Sequence, residues 1–384
     1  MIQEDAVKGK DIMQIPLLDL KRQYFDIKKE IDLAIQRVLE TGSFILGENV
    51  KALERDFAAF CGTAYAVGVA SGTDALELSL MASGIKKGDE VITTPFTFIA
   101  TAEAICRVGA RPVFADIDLI TYNIDCVEIR KKITADTKAV IPVHLFGCAC
   151  DMDSLMDTAQ RYKLKIIEDC CQSIGSDYKN KRVGSFGDAG CFSFFPSKNL
   201  STYGDGGMIV TNNKDTYELL RMLRVHGSRD KYFHIYQGLN SRLDELHAAI
   251  LRVKLPHIQE WNNQRSKLAH IYNNYFGKAG LDRIIICPRE NQNAGHVYNI
   301  YAVRAKGRDA LKDYLQKKGV QTGVHYPMGL HTQEVYKNLN YKQGDFPNTE
   351  LAASEILSLP MYPELEEIEI EYIIKTIKDF YSNA

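Results

Sequence analysis

The sequence predicts an α/β protein built on a seven-stranded, mainly parallel sheet that is sandwiched by helices. Over the first two thirds of the 384 residues, short apolar runs alternate with helical patterns. After residue 255 the pattern changes to short strands, a helix and loops that contain prolines. We therefore expect a flexible N-terminal tail over residues 1–13, a large domain over residues 14–255 and a smaller C-terminal α/β domain over residues 256–384.

Seven apolar runs are the predicted strands. They span residues 64–71, 89–94, 110–116, 139–146, 164–169, 190–195 and 206–212. Between them, segments such as TDALELSLMASGI and MDSLMDTAQRYK place apolar residues three and four positions apart, which is typical of amphipathic helices. Strands that alternate with helices favour parallel pairing, because a crossover helix returns the chain to the same edge of the sheet.

Composition narrows the class of protein. The chain is 45% hydrophobic and 25% charged, which is typical of a globular protein with a large core. Its net charge of -2 gives no overall basic field that would attract nucleic acid or an anionic membrane. No apolar run is long enough to span a bilayer, and the N-terminus lacks a signal-like apolar core, so we expect a cytoplasmic protein.

The nine cysteines show no paired CxxC spacing, and most lie within apolar stretches such as ICRVGA and LFGCAC. A metal site of cysteines usually shows such pairs. We therefore expect reduced, buried thiols and no metal.

Lys198 lies in an unusual setting, the apolar and glycine-rich stretch CFSFFPSKNLSTYGDGGMIVTN. Removal of water from an ammonium group lowers its pKa, and the neutral amine can then form a Schiff base with an aldehyde. The alternative is an ordinary loop lysine whose charged end reaches solvent. Whether Lys198 is a reactive amine or an ordinary loop lysine depends on which other residues lie near it.

Two groups of residues at predicted strand ends suit a flat, anionic ligand. Ser71, Gly72 and Thr73 lie where a strand meets a helix, so backbone N–H groups and hydroxyls can bind an anion there. Phe98 follows the end of the next strand and could stack on a ring. Helix capping by Ser71 and Thr73, and a core position for Phe98, are the alternatives.

Two further groups add charge and hydroxyl chemistry. Asp169 ends a predicted strand, with Gln172 three residues later, and its carboxylate could pair with a protonated ring nitrogen or simply cap the next helix. Ser193 lies five residues before Lys198, and a turn at Pro196 would bring the two side chains together. An anion turn, a ring stack, a carboxylate and an amine are together what pyridoxal 5'-phosphate requires of a protein.

The segments SGTDALELSL, TPFTFIATAEAI, PVHLFG, IEDCCQSIGS, FSFFPSKNLSTYGDGGMIVTN, GLNSRLDELHAAIL and TGVHYP resemble those of the DegT/DnrJ/EryC1/StrS family of sugar aminotransferases. The resemblance runs from about residue 17 to the C-terminal helix. It implies the aspartate aminotransferase-like fold type I of pyridoxal phosphate enzymes. It also implies that Lys198 forms the Schiff base and shuttles a proton, that Asp169 pairs with the pyridine nitrogen, and that Gln172 contacts the phenolic oxygen of the cofactor.

The resemblance implies that Phe98 stacks on the cofactor ring and that Gly72, Thr73 and Ser193 bind the cofactor phosphate. It also implies that Asn240 is a phosphate ligand supplied from the neighbouring subunit. A ligand from the neighbour implies a homodimer with shared active sites. The motifs that resemble those contacting the nucleotide sugar contain Arg242, His325 and Tyr326. Positive charge for a diphosphate is expected from Arg242, and Arg224, Arg229 or Lys231 could add to it, unless their stretch is a solvated basic loop.

This chain has EDCCQ where many relatives have EDAAQ, and we expect only packing consequences from Cys170 and Cys171. Lys198, rather than the histidine of some relatives, favours amino transfer over dehydration. The implied reaction moves the amino group of glutamate, leaving 2-oxoglutarate, to a keto-sugar of a nucleoside diphosphate. The motifs look closer to enzymes acting at C3, such as on a UDP-linked 3-keto N-acetyl uronate. A C4-acting enzyme, a keto-cyclitol aminotransferase and a non-catalytic regulatory homologue are the alternatives.

Overall fold

The computed structural model describes residues 13–289 and 293–382, so most of the predicted N-terminal tail lies outside the described residues. The seven predicted strands form one sheet, which confirms the predicted fold class. The strands are β1 (Tyr65–Val69), β2 (Glu90–Thr93), β3 (Arg111–Phe114), β4 (Thr137–Val140), β5 (Lys165–Asp169), β6 (Ala189–Ser193) and β7 (Gly207–Thr211). Their order is β1-β7-β6-β5-β4-β2-β3, and β7 runs antiparallel to both of its neighbours.

Helices cover both faces of this sheet. The α-helices of the described residues are, in chain order, α1 (Leu20–Thr41), α2 (Glu48–Cys61), α3 (Gly72–Ala82), α4 (Ala100–Arg107), α5 (Cys126–Lys132), α6 (Met152–Tyr162), α7 (Lys214–Leu223), α8 (Glu245–Lys254), α9 (Ile258–Lys278), α10 (Arg308–Lys317), α11 (Pro347–Glu355) and α12 (Glu367–Ser382), of which the last three lie in the C-terminal part. One apolar core lies between the sheet and α1, α2, α5, α6 and α8, and a second lies between the sheet and α3, α4 and α7. The sheet is therefore buried on both sides, as its nearly continuous apolar strands require.

A second, smaller sheet follows in the C-terminal part of the chain. Its strands β8 (Ile285–Ile286), β9 (Tyr301–Ala305) and β10 (Ile356–Leu359) pair antiparallel in that order. Helix α9 contributes Trp261 to the core of the large sheet and Tyr272 to the core of the small one. The predicted domain boundary at residues 255 and 256 stays a prediction.

The topology brings the ends of several strands to one edge of the large sheet. Strands β1, β5 and β6 run in the same direction, since β7 is antiparallel to both β1 and β6, and β5 is parallel to β6. Their C-terminal ends, at Val69, Asp169 and Ser193, therefore lie at a common edge, which is where open α/β sheets bind ligands. None of the helices in residues 13–289 and 293–382 is both long and apolar enough to cross a membrane.

Candidate active site

A cavity of about 560 Å³ opens at this edge of the sheet. Nine of the predicted site residues line it, namely Gly72, Thr73, Phe98, Asp169, Gln172, Ser193, Lys198, His325 and Tyr326. They come from the ends of β5 and β6 and the turns after them, the loop between β2 and α4, the start of α3 and the loop that follows α10. Residues more than 250 positions apart in the sequence therefore share one site.

Lys198 lies in the turn that follows β6, where its backbone N–H donates to the carbonyl oxygen of Phe195 at 2.9 Å. The side chain is half-buried and borders the cavity. Burial lowers the pKa of the Lys198 amine below its ordinary value of 10.5, and the nearby carboxylate of Asp169 opposes this shift. A lowered pKa increases the share of neutral amine, which is the nucleophilic form.

Asp169 is the last residue of β5, and its side chain is only 5% exposed. Its Oδ2 accepts a hydrogen bond from Thr101 Oγ1 at 2.8 Å, and its Oδ1 accepts one from the backbone N–H of Cys171 at 3.1 Å. These two donors fix the plane of the carboxylate at the cavity wall. Sequence reasoning missed Thr101, although it lies within the motif TPFTFIATAEAI, three residues after Phe98 and in the first turn of α4.

The turn between β1 and α3 has the features of an anion site. Ser71 caps the helix, because its Oγ accepts from the backbone N–H of Asp74 at 3.1 Å. A Cβ atom at Gly72 would lie 2.8 Å from Cys171 Sγ and 2.8 Å from Ser193 Cβ, so only glycine lets the turn approach β6 this closely. The first N–H groups of a helix have no partner within the helix, and here the start of the helix lies close to Ser193, whose hydroxyl can add a donor. The turn fits a phosphate.

Gln172 is held in one orientation. Its Oε1 accepts from the backbone N–H of Phe146 at 2.9 Å, and its Nε2 donates to the Tyr326 hydroxyl at 3.1 Å. Phe146 has a φ of 58°, an unusual value for a residue other than glycine, and this conformation points its N–H at Gln172. Burial raises the pKa of Tyr326, so the phenol keeps its proton and can donate it to a ligand.

Phe98 and Phe96 have different positions. Phe98 is 56% exposed and borders the cavity, whereas Phe96 is fully buried in the core. The two rings lie 6.3 Å and 6.2 Å from the ring of Tyr326. Phe98 is therefore the aromatic whose face is available for stacking on a planar ligand.

His325 Nδ1 lies 2.8 Å from the Ser358 hydroxyl. Burial lowers the pKa of His325, and the positive charge of Lys198 lowers it further. The imidazole is consequently neutral at pH 7, and it offers a hydrogen bond to a ligand rather than a charge.

Asn240 and Arg242 do not line this cavity. Asn240 is exposed, while the following Ser241 donates to Asp74 Oδ2 at 2.6 Å and so ties their loop to the start of α3. Arg224 is buried and forms an ion pair with Glu54, so its charge is not available to a ligand. Arg224 is therefore no longer a candidate for binding a diphosphate.

Among the described residues, one group has the spacing of metal ligands, namely His144, Glu168 and Cys170. All three are buried, and hydrogen bonds already occupy the first two. Glu168 accepts from His144 Nε2 and from three backbone N–H groups within residues 184–187. His144 Nδ1 accepts from the N–H of Cys150. The group therefore fastens the loop before β6 to β5.

None of the nine cysteines, all of which lie in the described residues, forms a disulfide. Six are buried as predicted, whereas Cys171 and Cys287 are half-buried and Cys106 is exposed. The prediction was wrong for Cys106, because the apolar run ICRVGA is the end of α4, and position 106 faces away from the sheet.

Comparison with known proteins identifies the family. The profile of the DegT/DnrJ/EryC1/StrS aminotransferase family matches residues 25–378. A "Pleiotropic regulatory protein" of Geobacillus stearothermophilus is 47% identical over 96% of this chain and 99% of its own length. A UDP-N-acetyl-3-dehydro-alpha-D-glucosamine 3-aminotransferase of Acidithiobacillus ferrooxidans is 44% identical over 95% of this chain and 97% of its own. The crystal structure of S. venezuelae DesV with a ketimine intermediate superposes with a TM-score of 0.93 at 41% identity, covering 96% of this chain and 98% of that one.

Proposed function

The chain belongs to the DegT/DnrJ/EryC1/StrS aminotransferase family of pyridoxal phosphate enzymes, and we propose that it transfers the amino group of glutamate to C3 of a keto-sugar carried by a nucleoside diphosphate. A UDP-linked 3-keto N-acetyl sugar or uronate is the acceptor class we favour. The observation that carries the proposal is one cavity that holds an amine of lowered pKa, a buried carboxylate and an anion turn.

Each of these residues has a defined task toward the cofactor. The start of α3 with Gly72 and Thr73, together with Ser193, would hold the phosphate, and Phe98 would cover the ring. Asp169 would pair with the ring nitrogen and keep it protonated. When bound, pyridoxal phosphate supplies an aldehyde carbon that reacts with amines and a ring that accepts electrons.

The protein itself contributes a group that can accept a proton and give it back. Nζ of Lys198, in its neutral form, can take a proton from the α-carbon of the amino donor and return it to the carbon of the acceptor that receives nitrogen. Gln172 and Tyr326 supply hydrogen bonds that orient the bound groups. Thr101 and the N–H of Cys171 keep the carboxylate of Asp169 in place throughout.

Charge balance supports a homodimer with shared active sites. Of the residues that line the cavity in the described part of the chain, Lys198 and His325 are the basic side chains, whereas Asp169 and Asp205 are acidic. A cofactor phosphate and a sugar diphosphate add several more negative charges, which need cations or further donors. Asn240 and Arg242 lie outside the cavity of their own chain, so the contacts proposed for them would be made in the cavity of a second copy.

Mixing two inactive variants tests the shared site. Lys198→Ala and Asn240→Ala homodimers should each have little activity, because every site carries a lesion. If Asn240 serves the neighbour, subunit exchange creates dimers with one intact site, and about a quarter of the parent activity should return for a symmetric dimer. Subunit exchange is verified by native mass spectrometry. If activity does not recover although the subunits have exchanged, the shared site is contradicted.

Acceptor profiling tests the substrate. The pyridoxamine phosphate form of the enzyme should be consumed by UDP-linked 3-keto sugars at least as fast as by any dTDP-linked or 4-keto sugar, as followed by absorbance and mass spectrometry of the product. A clear preference for a 4-keto sugar or a free keto-inositol would replace the C3 assignment with a C4 or cyclitol enzyme. In the first half-reaction, glutamate should outperform glutamine and aspartate as donor.

A regulatory role is the second candidate, because a relative 47% identical to this chain has the name "Pleiotropic regulatory protein". The presence of Lys198, Asp169 and Thr101 around one cavity argues for turnover. Cofactor-loaded protein whose visible absorbance is unchanged by glutamate and by every other amino donor would favour the regulatory role.

A further inference from the structure

Three buried asparagines connect the loop that carries Lys198 to two other parts of the structure. Asn199 follows Lys198 directly, Asn262 lies near the start of α9, and Asn299 lies just before β9. Their exposed fractions are 5%, 4% and 9%. Burying an amide costs free energy unless it is hydrogen bonded, and a hydrophobic residue would fill each position at lower cost. Their joint presence beside the reactive lysine therefore needs a specific reason.

The hydrogen bonds between the three amides run in one direction. Asn299 Nδ2 donates to Asn199 Oδ1 at 2.9 Å and to the carbonyl oxygen of Ser197 at 3.3 Å. Asn199 Nδ2 donates to Asn262 Oδ1 at 2.8 Å and to the carbonyl oxygen of Val297 at 2.9 Å. A carbonyl can only accept, so these end points fix which way each amide points.

Asn262 is the last of the three hydrogen-bonded asparagines, and it anchors them to another loop. Its Nδ2 donates to the carbonyl oxygen of Ile174 at 2.9 Å, in the loop that also carries Gln172. A Cβ atom at Gly175, where φ is 84°, would lie 2.5 Å from this Nδ2, so the amide packs directly against the loop backbone. Helix α9 thus joins the loop of Gln172 to the loop of Lys198.

The hydrogen bonds of the three asparagines hold the backbone on both sides of Lys198. The carbonyl of Ser197 is bound by Asn299, and the side chain of Asn199 is bound by Asn299 and Asn262. We propose that Asn262 is a positioning residue that, through Asn199 and Asn299, fixes the backbone on both sides of Lys198 and thereby the place of its Nζ in the cavity. The proposal rests on Lys198 being the reactive lysine of the proposed aminotransferase.

Two substitutions at position 262 separate positioning from general stability. Asn262→Leu removes both the acceptor for Asn199 and the donor to Ile174. Asn262→Asp keeps an acceptor for Asn199 but loses the donor, and it buries a charge, so both variants should unfold at a lower temperature than the parent. Asn263→Leu is the matched control, because its side chain lies on the exposed face of the same helix.

Hydrogen exchange of the full-length protein without added cofactor is the first readout. Peptides that cover residues 195–202 contain the Lys198 N–H, which is bound to Phe195, and the Thr202 N–H, which is bound to Phe194. In Asn262→Leu these amides should exchange about 10-fold faster than in the parent, as expected for local opening of the loop. Asn262→Asp and Asn263→Leu should exchange at nearly the parent rate.

The amino-donor half-reaction of the cofactor-loaded enzyme is the second readout. A displaced amine should slow this step about 10- to 100-fold in Asn262→Leu, with the KM for the donor nearly unchanged, because misplacement affects the transition state more than binding. Asn262→Asp should stay within a few fold of the parent. Parent-like exchange and rate in Asn262→Leu would overturn the proposal, and so would an equal loosening in Asn262→Asp.

A second site keeps the test decisive if Asn262→Leu does not fold. Asn299→Leu removes the first of the three hydrogen-bonded asparagines, which lies just before β9 and not in α9. This substitution should loosen residues 195–202 in the same way. An unchanged exchange rate there would equally overturn the proposal. Failure of the proposed function is a separate result, since it would appear as full donor turnover by Lys198→Ala.

Discussion

Replacement of Gly72 by alanine should weaken cofactor binding by an amount that follows from the packing of the phosphate turn. The new Cβ would lie 2.8 Å from Cys171 Sγ and Ser193 Cβ, which is about 0.6 Å inside the 3.4 Å at which ordinary contact begins. Ser193 cannot move away easily, because it is the last residue of the buried strand β6. The turn itself has to shift, and the start of α3 moves with it.

The size of the effect follows from the cost of overpacking. Extra methyl groups in a well-packed site cost about 1–3 kcal/mol. If the turn escapes this strain only by leaving its phosphate-binding position, the dissociation constant for pyridoxal phosphate rises about 5- to 150-fold. Titration of cofactor-free protein, followed by visible absorbance and by fluorescence of the single tryptophan, Trp261, measures this constant.

Two further variants control for other causes. Gly277→Ala lies in α9 with no atom within 4 Å of the new Cβ, so it should leave the dissociation constant unchanged and stabilise the helix by about 0.5–1 kcal/mol. Cys171→Ala removes one of the two contacts, and combining it with Gly72→Ala should restore part of the affinity. Parent-like affinity in Gly72→Ala would refute the view that close packing of this turn sets phosphate binding.

Three other predictions concern single side chains. Thr101→Val should slow the donor half-reaction roughly 10- to 150-fold, because a hydrogen bond to a charged group contributes about 1.5–3 kcal/mol, and Thr101→Ser should restore the rate; equal rates in both would count against the bond to Asp169. Lys198→Ala should abolish the absorbance change that glutamate produces, and turnover at the parent rate would end the assignment of Lys198. Burial lowers the pKa of Lys254 to about 8 from 10.5, so the folded chain binds this proton less tightly than the unfolded chain does. Lys254→Met should therefore raise the free energy of unfolding by up to about 3 kcal/mol at pH 7, with the gain fading between pH 8 and 10.5; a gain independent of pH, or one matched by the exposed control Lys267→Met, would contradict this.

The alternation of apolar runs and helical patterns was enough to predict the large sheet, but the ends of the strands were less certain. The run at residues 139–146 was predicted as a strand, whereas β4 is Thr137–Val140. Pro142 lacks the N–H that a ladder requires, so regular pairing is interrupted there, although Val143 still forms an isolated parallel bridge with Asp169 and the side chains stay buried. Continuous apolar character indicates burial, and an irregular buried segment has the same pattern as a strand.

The site was predictable only where position in the sequence implied position in the fold. Asp169 ends its strand, so the rule that ligands bind at the C-terminal edge was enough to place it at the site, and the expected turn at Pro196 was enough to bring Ser193 close to Lys198. Asn299 follows Lys198 by about 100 residues and lies in no regular element, and nothing in its local sequence indicates the contact with Ser197. Long-range hydrogen bonds of this kind depend on how the small sheet packs against the large one, which periodicity does not report.

The two neighbouring cysteines of the EDCCQ motif, Cys170 and Cys171, have different surroundings. Cys170 is fully buried and acts as a small apolar residue. Cys171 borders the cavity, and its Sγ would meet any side chain placed at Gly72. Burial raises the pKa of the Cys171 thiol well above its ordinary value, so the group is neutral and adds volume rather than charge between the phosphate turn and Lys198. Burial lowers the pKa of Lys198, and Cys171 and Asp169 oppose this shift. Because the thiol is neutral, we expect Cys171→Ala to alter the shape of the cavity more than the charge state of its amine.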